Sequence, residues 1–229
     1  MTSTPSIVLS NSPWNIDLAS RLTRNHQRKF HLFTNKNDLS YEAMAEINPE
    51  WIFVPHWSHF IPPEIFNNWR TVIFHMTDLP YGRGGSPLQN LILRGHTSTV
   101  MTALLCSAEM DAGQVLLKEP LSLHGTAEEI YLRADSLVES MIGRLLAADV
   151  TSTDQVGLPV YFKRRVQSQS NLSECPNGDL KAWYDFIRML DAQGYPHAYL
   201  EALGMKLEFR RVSQRSDGLY ADVKISPKS

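Results

Sequence analysis

Residues 71–95 read TVIFHMTDLPYGRGGSPLQNLILRG. An apolar run, TVIFH, ends on a titratable ring at His75. A loop carrying Asp78, Pro80, Gly82, Gly84, Gly85 and Pro87 follows, and LQNLILRG then has a helical pattern with Gly95 placed as its C-cap. In an open parallel sheet, ligands bind beyond the carboxyl ends of the strands, so His75 would face such a crevice. The glycines let the next stretch of backbone turn tightly and come close to a ligand. Taken alone, a histidine before a glycine-rich loop reads more readily as a plain surface turn.

Upstream, the pattern repeats. SIVLS (6–10), FHLFT (30–34) and WIFVP (51–55) are short apolar runs, and TVIFH makes a fourth. Amphipathic stretches from Trp14 to Thr23 and from Tyr41 to Ile47 lie between them. Buried runs alternating with helical pattern predict parallel strands joined by crossover helices. Downstream, a strand is expected through Thr99 to Ala108, with GQVLLKEPLSL (113–123) as its antiparallel neighbour and Pro120 near an edge. Thr126-Ala-Glu-Glu129 has the spacing of a capping box, and Ile130, Ala134, Leu137, Val138, Met141, Ile142 and Leu145 mark one helical face. We assign that helix to the core and give it no chemistry.

From Asp149 to Gly178 the texture is polar and turn-rich, interrupted by VYFKRR, which reads as an extended surface connection. A helix near Leu180 to Leu190 should turn Trp183, Tyr184 and Ile187 inward. MKLEFRRV (205–212) and LYADVKI (219–225) alternate apolar and polar residues around QRSDG, as in a hairpin. The expected fold is thus α/β: a Rossmann-like, mostly parallel sheet with flanking helices over 1–150, then a linker, helix and β-hairpin subdomain over 151–229. That hairpin could complete a homodimer interface or pack within its own chain.

With 229 residues, 43% of them hydrophobic, the chain can bury a substantial core. A formal net charge of −2 gives no general field for nucleic acid or an acidic membrane. MTSTPS has no signal-peptide character, and the longest apolar stretch, Val100 to Ala108, is too short to span a bilayer. Cys106 and Cys175 lie far apart with no CxxC spacing, which points to reduced thiols rather than a disulfide or a metal site. A cytoplasmic location is expected, with no membrane partner.

FHMTDLPYGRGGSPLQNLILRG, then AEMDAGQVLL, YFKRR and FIRMLDAQGYPHAY, resembles the tetrahydrofolate-dependent formyltransferase family over roughly residues 50–212. That family shows His-Pro-Ser-Leu-Leu-Pro, then Arg-Gly-Gly-Ala-Pro, then Asp-x-Gly before a strand. His75, Pro80, Arg83, Gly84, Gly85 and Pro87 match the first two, and Asp111-Ala112-Gly113 the third. The resemblance implies transfer of a formyl group from N10-formyltetrahydrofolate to an amine, with His75 and Asp111 as the catalytic pair. The residue types suit that chemistry, since an imidazole can donate to an oxyanion or shuttle a proton, and a carboxylate can take the amine's proton through water.

Two departures stand out. Ile73 occupies the place of the family's asparagine, and losing one such donor typically costs about 3 kcal/mol of transition-state stabilisation. His56, His59 or Thr77 could replace it, or the site could rely on His75 and backbone amides. Asp78 stands where an apolar residue is usual, and either meets the acceptor amine or caps the turn. By resemblance, the pterin would lie against Ser107, Glu109 and Met110 and under the loop with His59, Phe60 and Ile61; packing residues would look the same. Tyr81, Arg83, Gly84 and Asp78 would line the acceptor side.

The pairing of YFKRR with IRMLDAQGYPHAY is similar to the sugar N-formyltransferases, a resemblance that FHMTDLP, in place of the usual Asn-x-His-Pro, narrows to the branch of pseudaminic-acid-type pathways. It implies a nucleotide-linked amino-deoxy sugar, such as a UDP-4-amino-4,6-dideoxy-hexose, as partner, and no nucleic acid. Lys163, Arg164 and Arg165 would then meet the diphosphate, or simply form a solvated strand end. Trp57, Tyr161 or Tyr195 could stack on the base, though any one of them reads more readily as core packing. The alternatives are a methionyl-tRNA or glycinamide ribonucleotide acceptor, or a non-catalytic folate- or nucleotide-binding module.

Overall fold

The computed structural model describes residues 4–176 and 178–228. It divides into two compact units: one from the chain up to Gly84, Val100–Leu121 and Leu132–Tyr161, the other from Gly85–Thr99, Ser122–Tyr131 and the chain from Phe162 on. In chain order the elements are β1 (Ser6–Ser10), α1 (Leu18–His26), β2 (Phe30–Phe33), α2 (Tyr41–Ile47), β3 (Trp51–His56), α3 (Pro63–Phe66), β4 (Arg70–His75) and β5 (Tyr81–Gly84). Then follow α4 (Pro87–Leu93), β6 (Ser98–Leu105), β7 (Val115–Ser122), α5 (Ala127–Ala147), β8 (Val160–Phe162), α6 (Leu180–Arg188), β9 (Ala198–Ala202), β10 (Met205–Arg215) and β11 (Gly218–Pro227).

The main sheet has the order β2-β1-β3-β4-β6-β7. β1 to β4 are mutually parallel, and β6 runs antiparallel to β4, with His75 opposite Thr102. β1 is buried along its whole length, which is why SIVLS reads as an unbroken apolar run. β7 closes one edge of the sheet, so Pro120 sits where its missing N–H is tolerated. Ile7, Leu9, Met44, Ile52, Val54 and Ile65 form the core on one face, and Ile73, Trp57 and Cys106 pack against it. Two expectations shift here. β6 stops at Leu105, so the expected strand ends three residues before Ala108, and the glycine loop itself contains the short strand β5, paired with β8.

The capping box at the start of α5 forms as predicted. Glu129 N–H donates to Thr126 Oγ1 at 3.3 Å, and Thr126 N–H donates back to Glu129 Oε2 at 2.7 Å. The helix is not purely apolar scaffold, however. Asp135 is buried on it, receiving Asn15 Nδ2 at 2.6 Å and pairing with Arg21.

In the second unit β11, β10 and β9 form an antiparallel sheet. The hairpin is where the alternation places it, and β9 (AYLEA) is an addition to it. Helix α6 buries Phe186, Ile187 and Arg188, while Trp183 and Tyr184 are only half-buried. Arg188 is tolerated inside because Nη1 donates to the Leu123 and Gly125 carbonyls at 2.6 and 2.9 Å. The connection between α5 and α6 carries two short 3-10 turns, Gln167–Ser170 and Leu172–Glu174.

Candidate active site

His75 ends β4 and is buried. Its Nε2 lies 2.8 Å from the Gly82 carbonyl oxygen. A carbonyl can only accept, so that contact places a proton on Nε2 and leaves Nδ1 as the exchangeable nitrogen. Nδ1 faces Asp111 Oδ2 at 3.6 Å. The same Oδ2 accepts the Gly84 N–H at 2.8 Å. Histidine and carboxylate, thirty-six positions apart in the chain, therefore meet in the first unit, with a backbone amide fixing the carboxylate.

Backbone conformation sets this up. Gly82 and Gly84 have φ of 81° and 107°, where a side chain would be strained, and each contributes one backbone group to the cluster. Asp111 itself sits at φ 53°, a region that aspartate tolerates better than most residues. Gln155 Nε2 holds the turn by donating to the carbonyls of Asp111 and Gly113 at 2.8 and 2.9 Å. On the neighbouring strand β6, Thr102 Oγ1 donates to the Thr77 carbonyl at 2.7 Å.

A second cluster adjoins the first through Gln155. Arg83 Nη2 donates to Gln155 Oε1 at 2.8 Å and Arg83 Nη1 to Glu109 Oε1 at 2.8 Å. Tyr161 OH donates to the same Glu109 oxygen at 2.9 Å. Arg83, expected on the acceptor side, and Glu109, expected on the pterin side, are thus partners of one another. Nothing in the polar segment TSTDQ distinguished Gln155, which ties the two clusters together.

The remaining predicted residues are placed as follows. Ile61 is buried in the core cluster and its side chain does not form an open slot. Phe60 and Met110 are 72% and 67% exposed. His59 is exposed, with its ring edge-on to Trp57 at 5.3 Å. Ser107 Oγ donates to the Glu109 carbonyl at 2.9 Å. Asp78 is ion-paired with Lys118, and Tyr81 is half-buried at the start of β5. Of the candidate stand-ins for the asparagine at Ile73, Thr77 Oγ1 is directed at the Gly82 oxygen at 3.4 Å, and His56 meets the Trp14 ring edge-on.

Lys163, Arg164 and Arg165 belong to the second unit. Lys163 is exposed and its carbonyl accepts Asn90 Nδ2 at 3.1 Å. Arg164 is exposed, and its backbone approaches so closely that a Cβ on Gly85 would lie 2.7 Å from its Cα. Arg165 is half-buried with its guanidinium over the Phe186 ring, and burial lowers its pKa. A small pocket of about 60 Å³ is bordered by Arg165, Ser86, Gln89 and Tyr195.

Burial pushes the Cys106 thiol up to about 11, and the nearby Asp111 charge adds to the shift, so this cysteine stays protonated and is no nucleophile near neutrality. Among the described residues no group of three or more His, Cys, Asp or Glu could hold a metal ion, and no helix is long and apolar enough to cross a membrane.

A family model described as formyl transferase matches residues 17–144, and one described as the C-terminal domain of methionyl-tRNA formyltransferase matches residues 167–226. The chain belongs to the formyl transferase family. Within it, the chain is 28% identical to the methionyl-tRNA formyltransferase of Sulfurimonas denitrificans over 80% of its length, but spans only 62% of that protein. Among solved structures, a methionyl-tRNA formyltransferase from Clostridium thermocellum is 42% identical with a TM-score of 0.94, covering 98% of this chain and 100% of that one. A sugar N-formyltransferase from a Shewanella species, 19% identical with a TM-score of 0.71 over 93% of this chain and 98% of that one, shares the fold.

Proposed function

We propose that this protein transfers a formyl group from N10-formyltetrahydrofolate to a primary amine, with His75 and Asp111 moving the proton. The observation that carries this reading is the convergence of His75 Nδ1 and the Gly84 amide on Asp111 Oδ2. The co-substrate supplies the one-carbon unit. The residues offered for it fit on chemistry: exposed Phe60 and Met110 provide apolar surface for a ring system, and the Ser107–Met110 loop offers peptide groups.

When the amine attacks the formyl carbon, it must lose a proton, and the folate N10 must gain one as its bond to that carbon breaks and tetrahydrofolate leaves. With Nε2 committed to Gly82, Nδ1 is the nitrogen positioned to take part, and Asp111, oriented by Gly84, is the carboxylate that shares that proton. Ile73 cannot donate to a developing oxyanion and packs into the core, so that duty falls to protonated His75 or to backbone amides.

For the acceptor, the 42% identity across the whole of the Clostridium thermocellum methionyl-tRNA formyltransferase favours methionyl-tRNA, against the expectation of a partner other than nucleic acid. A nucleotide-linked amino sugar remains the second reading. Supporting it are the net charge of −2, and a half-buried Arg165 beside a small pocket with Tyr195 at its border.

The test measures tetrahydrofolate release with charged tRNA and with a panel of nucleotide-linked amino sugars in parallel. His75→Asn and Asp111→Asn should each lower kcat roughly 10²-fold or more while the fold is retained. Undiminished turnover in Asp111→Asn, or no turnover of wild type on any amine, would sink the proposal. Activity on charged tRNA alone would rule out the sugar as acceptor.

A further inference from the structure

Residues 152–155 run alongside the turn that carries Asp111. Thr153 exchanges two backbone hydrogen bonds with Val115, at 2.8 and 2.9 Å. The Gln114 side chain accepts from Ser152 Oγ at 2.7 Å and donates to Asp154 Oδ1 at 2.8 Å. Past Gln155 the chain lets go, with Val156 and Leu158 89% and 91% exposed. Apolar packing of the residues that follow therefore does not anchor Gln155. Its own amide does.

All four polar positions of that amide are engaged. Nε2 donates to the Asp111 carbonyl at 2.8 Å and to the Gly113 carbonyl at 2.9 Å, while Oε1 accepts from Arg83 Nε and Nη2 at 3.1 and 2.8 Å. The partners fix which way round the amide lies. Turned over, it would set an NH2 group against a guanidinium and an oxygen against two carbonyl oxygens. Arg83 stands between Gly82, whose carbonyl meets His75 Nε2, and Gly84, whose N–H meets Asp111 Oδ2. Asp111 is thus held from β5 twice: its carboxylate by the Gly84 N–H, and its main chain by Gln155 seated on the Arg83 side chain. With φ at 53°, Asp111 lies outside the conformation most residues prefer, and the two bonds from Gln155 restrain that turn.

We infer that Gln155 is a positioning residue for formyl transfer, holding the Asp111 main chain at the angle that brings Oδ2 to His75 Nδ1. The inference rests on the reading of His75 and Asp111 as the pair that moves the proton. Gln155 grips main-chain carbonyls and takes no proton itself. It sets how well the pair is aligned, so its loss belongs in kcat, with KM for both substrates almost unaltered.

Two substitutions separate the two ends of the amide. Gln155→Glu keeps an acceptor for Arg83 but, as a carboxylate, cannot donate to the Asp111 and Gly113 carbonyls. Gln155→Met removes both sets of bonds without adding charge. A displacement of about 1 Å can cost on the order of 10²-fold in rate, so each variant should lower kcat by roughly ten- to a hundredfold while circular dichroism shows it folded. KM should stay at the wild-type value in Gln155→Glu. In an Asp111→Asn background, where the carboxylate is gone, Gln155→Met should lower kcat no further. A crystal structure of Gln155→Glu reads the geometry without turnover: Asp111 Oδ2 should part from the Gly84 N–H and from His75 Nδ1 while Arg83 stays paired with the new carboxylate. Wild-type kcat in Gln155→Glu overturns the inference, and so does a rise in KM alone. Losses that multiply in the Asp111→Asn background, or an Asp111 that keeps both contacts in the crystal, overturn it as well. A wild type inactive on every amine would defeat formyl transfer itself, and the crystal would still decide whether Gln155 sets the Asp111 turn.

Discussion

Two residues past Asp111, glycine is dictated by space. A Cβ built on Gly113 would lie 1.8 Å from the Leu105 carbonyl oxygen, a backbone atom that cannot swing aside. The clash falls where β6 leaves the sheet, and Leu105 N–H is itself held by the Gln114 carbonyl at 2.9 Å. Gly113→Ala must therefore push the turn that carries Asp111, and Gln155, which grips both Asp111 and Gly113, goes with it. We expect a loss of about 3 kcal/mol in denaturant unfolding, at the upper end of overpacking costs, together with a fall in formyl transfer. Gly178→Ala, where nothing lies within 4 Å of the added atom, is the matched control and should leave both unchanged. In the sequence, Asp-x-Gly was visible as a motif, but the reason for its glycine was not. That reason is a contact with residue 105, eight positions earlier, and short-range pattern carries no record of it.

At the scale of elements, local signals proved reliable wherever the stabilising contact is local. The capping box needs four residues, and Thr126 and Glu129 make it. Thr126→Ala removes the Oγ1 acceptor and should cost about 1 kcal/mol in thermal or denaturant unfolding. Because the two bonds are reciprocal, a Thr126→Ala/Glu129→Ala double variant should lose less than the sum of the single losses. A simple sum would mean the two bonds act independently. Elements held by distant contacts were harder to see. β9 follows Pro196 and has a mixed sequence, and it becomes a strand because β10 offers it a partner from Met205 to Phe209. β5 is four residues with two glycines, poor strand material, and it exists through its pairing with β8. Trp183 and Tyr184 follow the helical period as closely as Phe186 does. Which of them is buried depends on what packs against α6, and a single-helix pattern does not contain that.

For the molecule as a whole, the parallel sheet and the His75–Asp111 pairing were legible, because apolar runs mark strands and the glycine loop and Asp-x-Gly resemble a known family. The polar interior was not, and it governs how stability responds to pH. His197 lies in the second unit with Nδ1 buried and lacking a hydrogen-bond partner, 3.8 Å from Asp191 Oδ1. Burial lowers its pKa below the ordinary 6.5 and Arg210 lowers it further, while Asp191, Glu208 and the Leu190 backbone pull the other way without prevailing. Asp191 has limited effect because its other oxygen is taken by the Arg211 N–H at 2.7 Å. A histidine whose folded value is depressed favours folding while it is neutral. The contribution is complete above about pH 6.5 and declines as pH falls toward the folded value, since the unfolded chain takes up a proton that the folded one resists. Unfolding midpoints measured from neutral pH down through the mildly acidic range should therefore fall for wild type, and fall less steeply for His197→Gln, which has nothing to titrate there. Parallel curves for the two proteins would show that His197 carries no share of the acid sensitivity, and would place the balance of forces around it with Asp191 instead of burial.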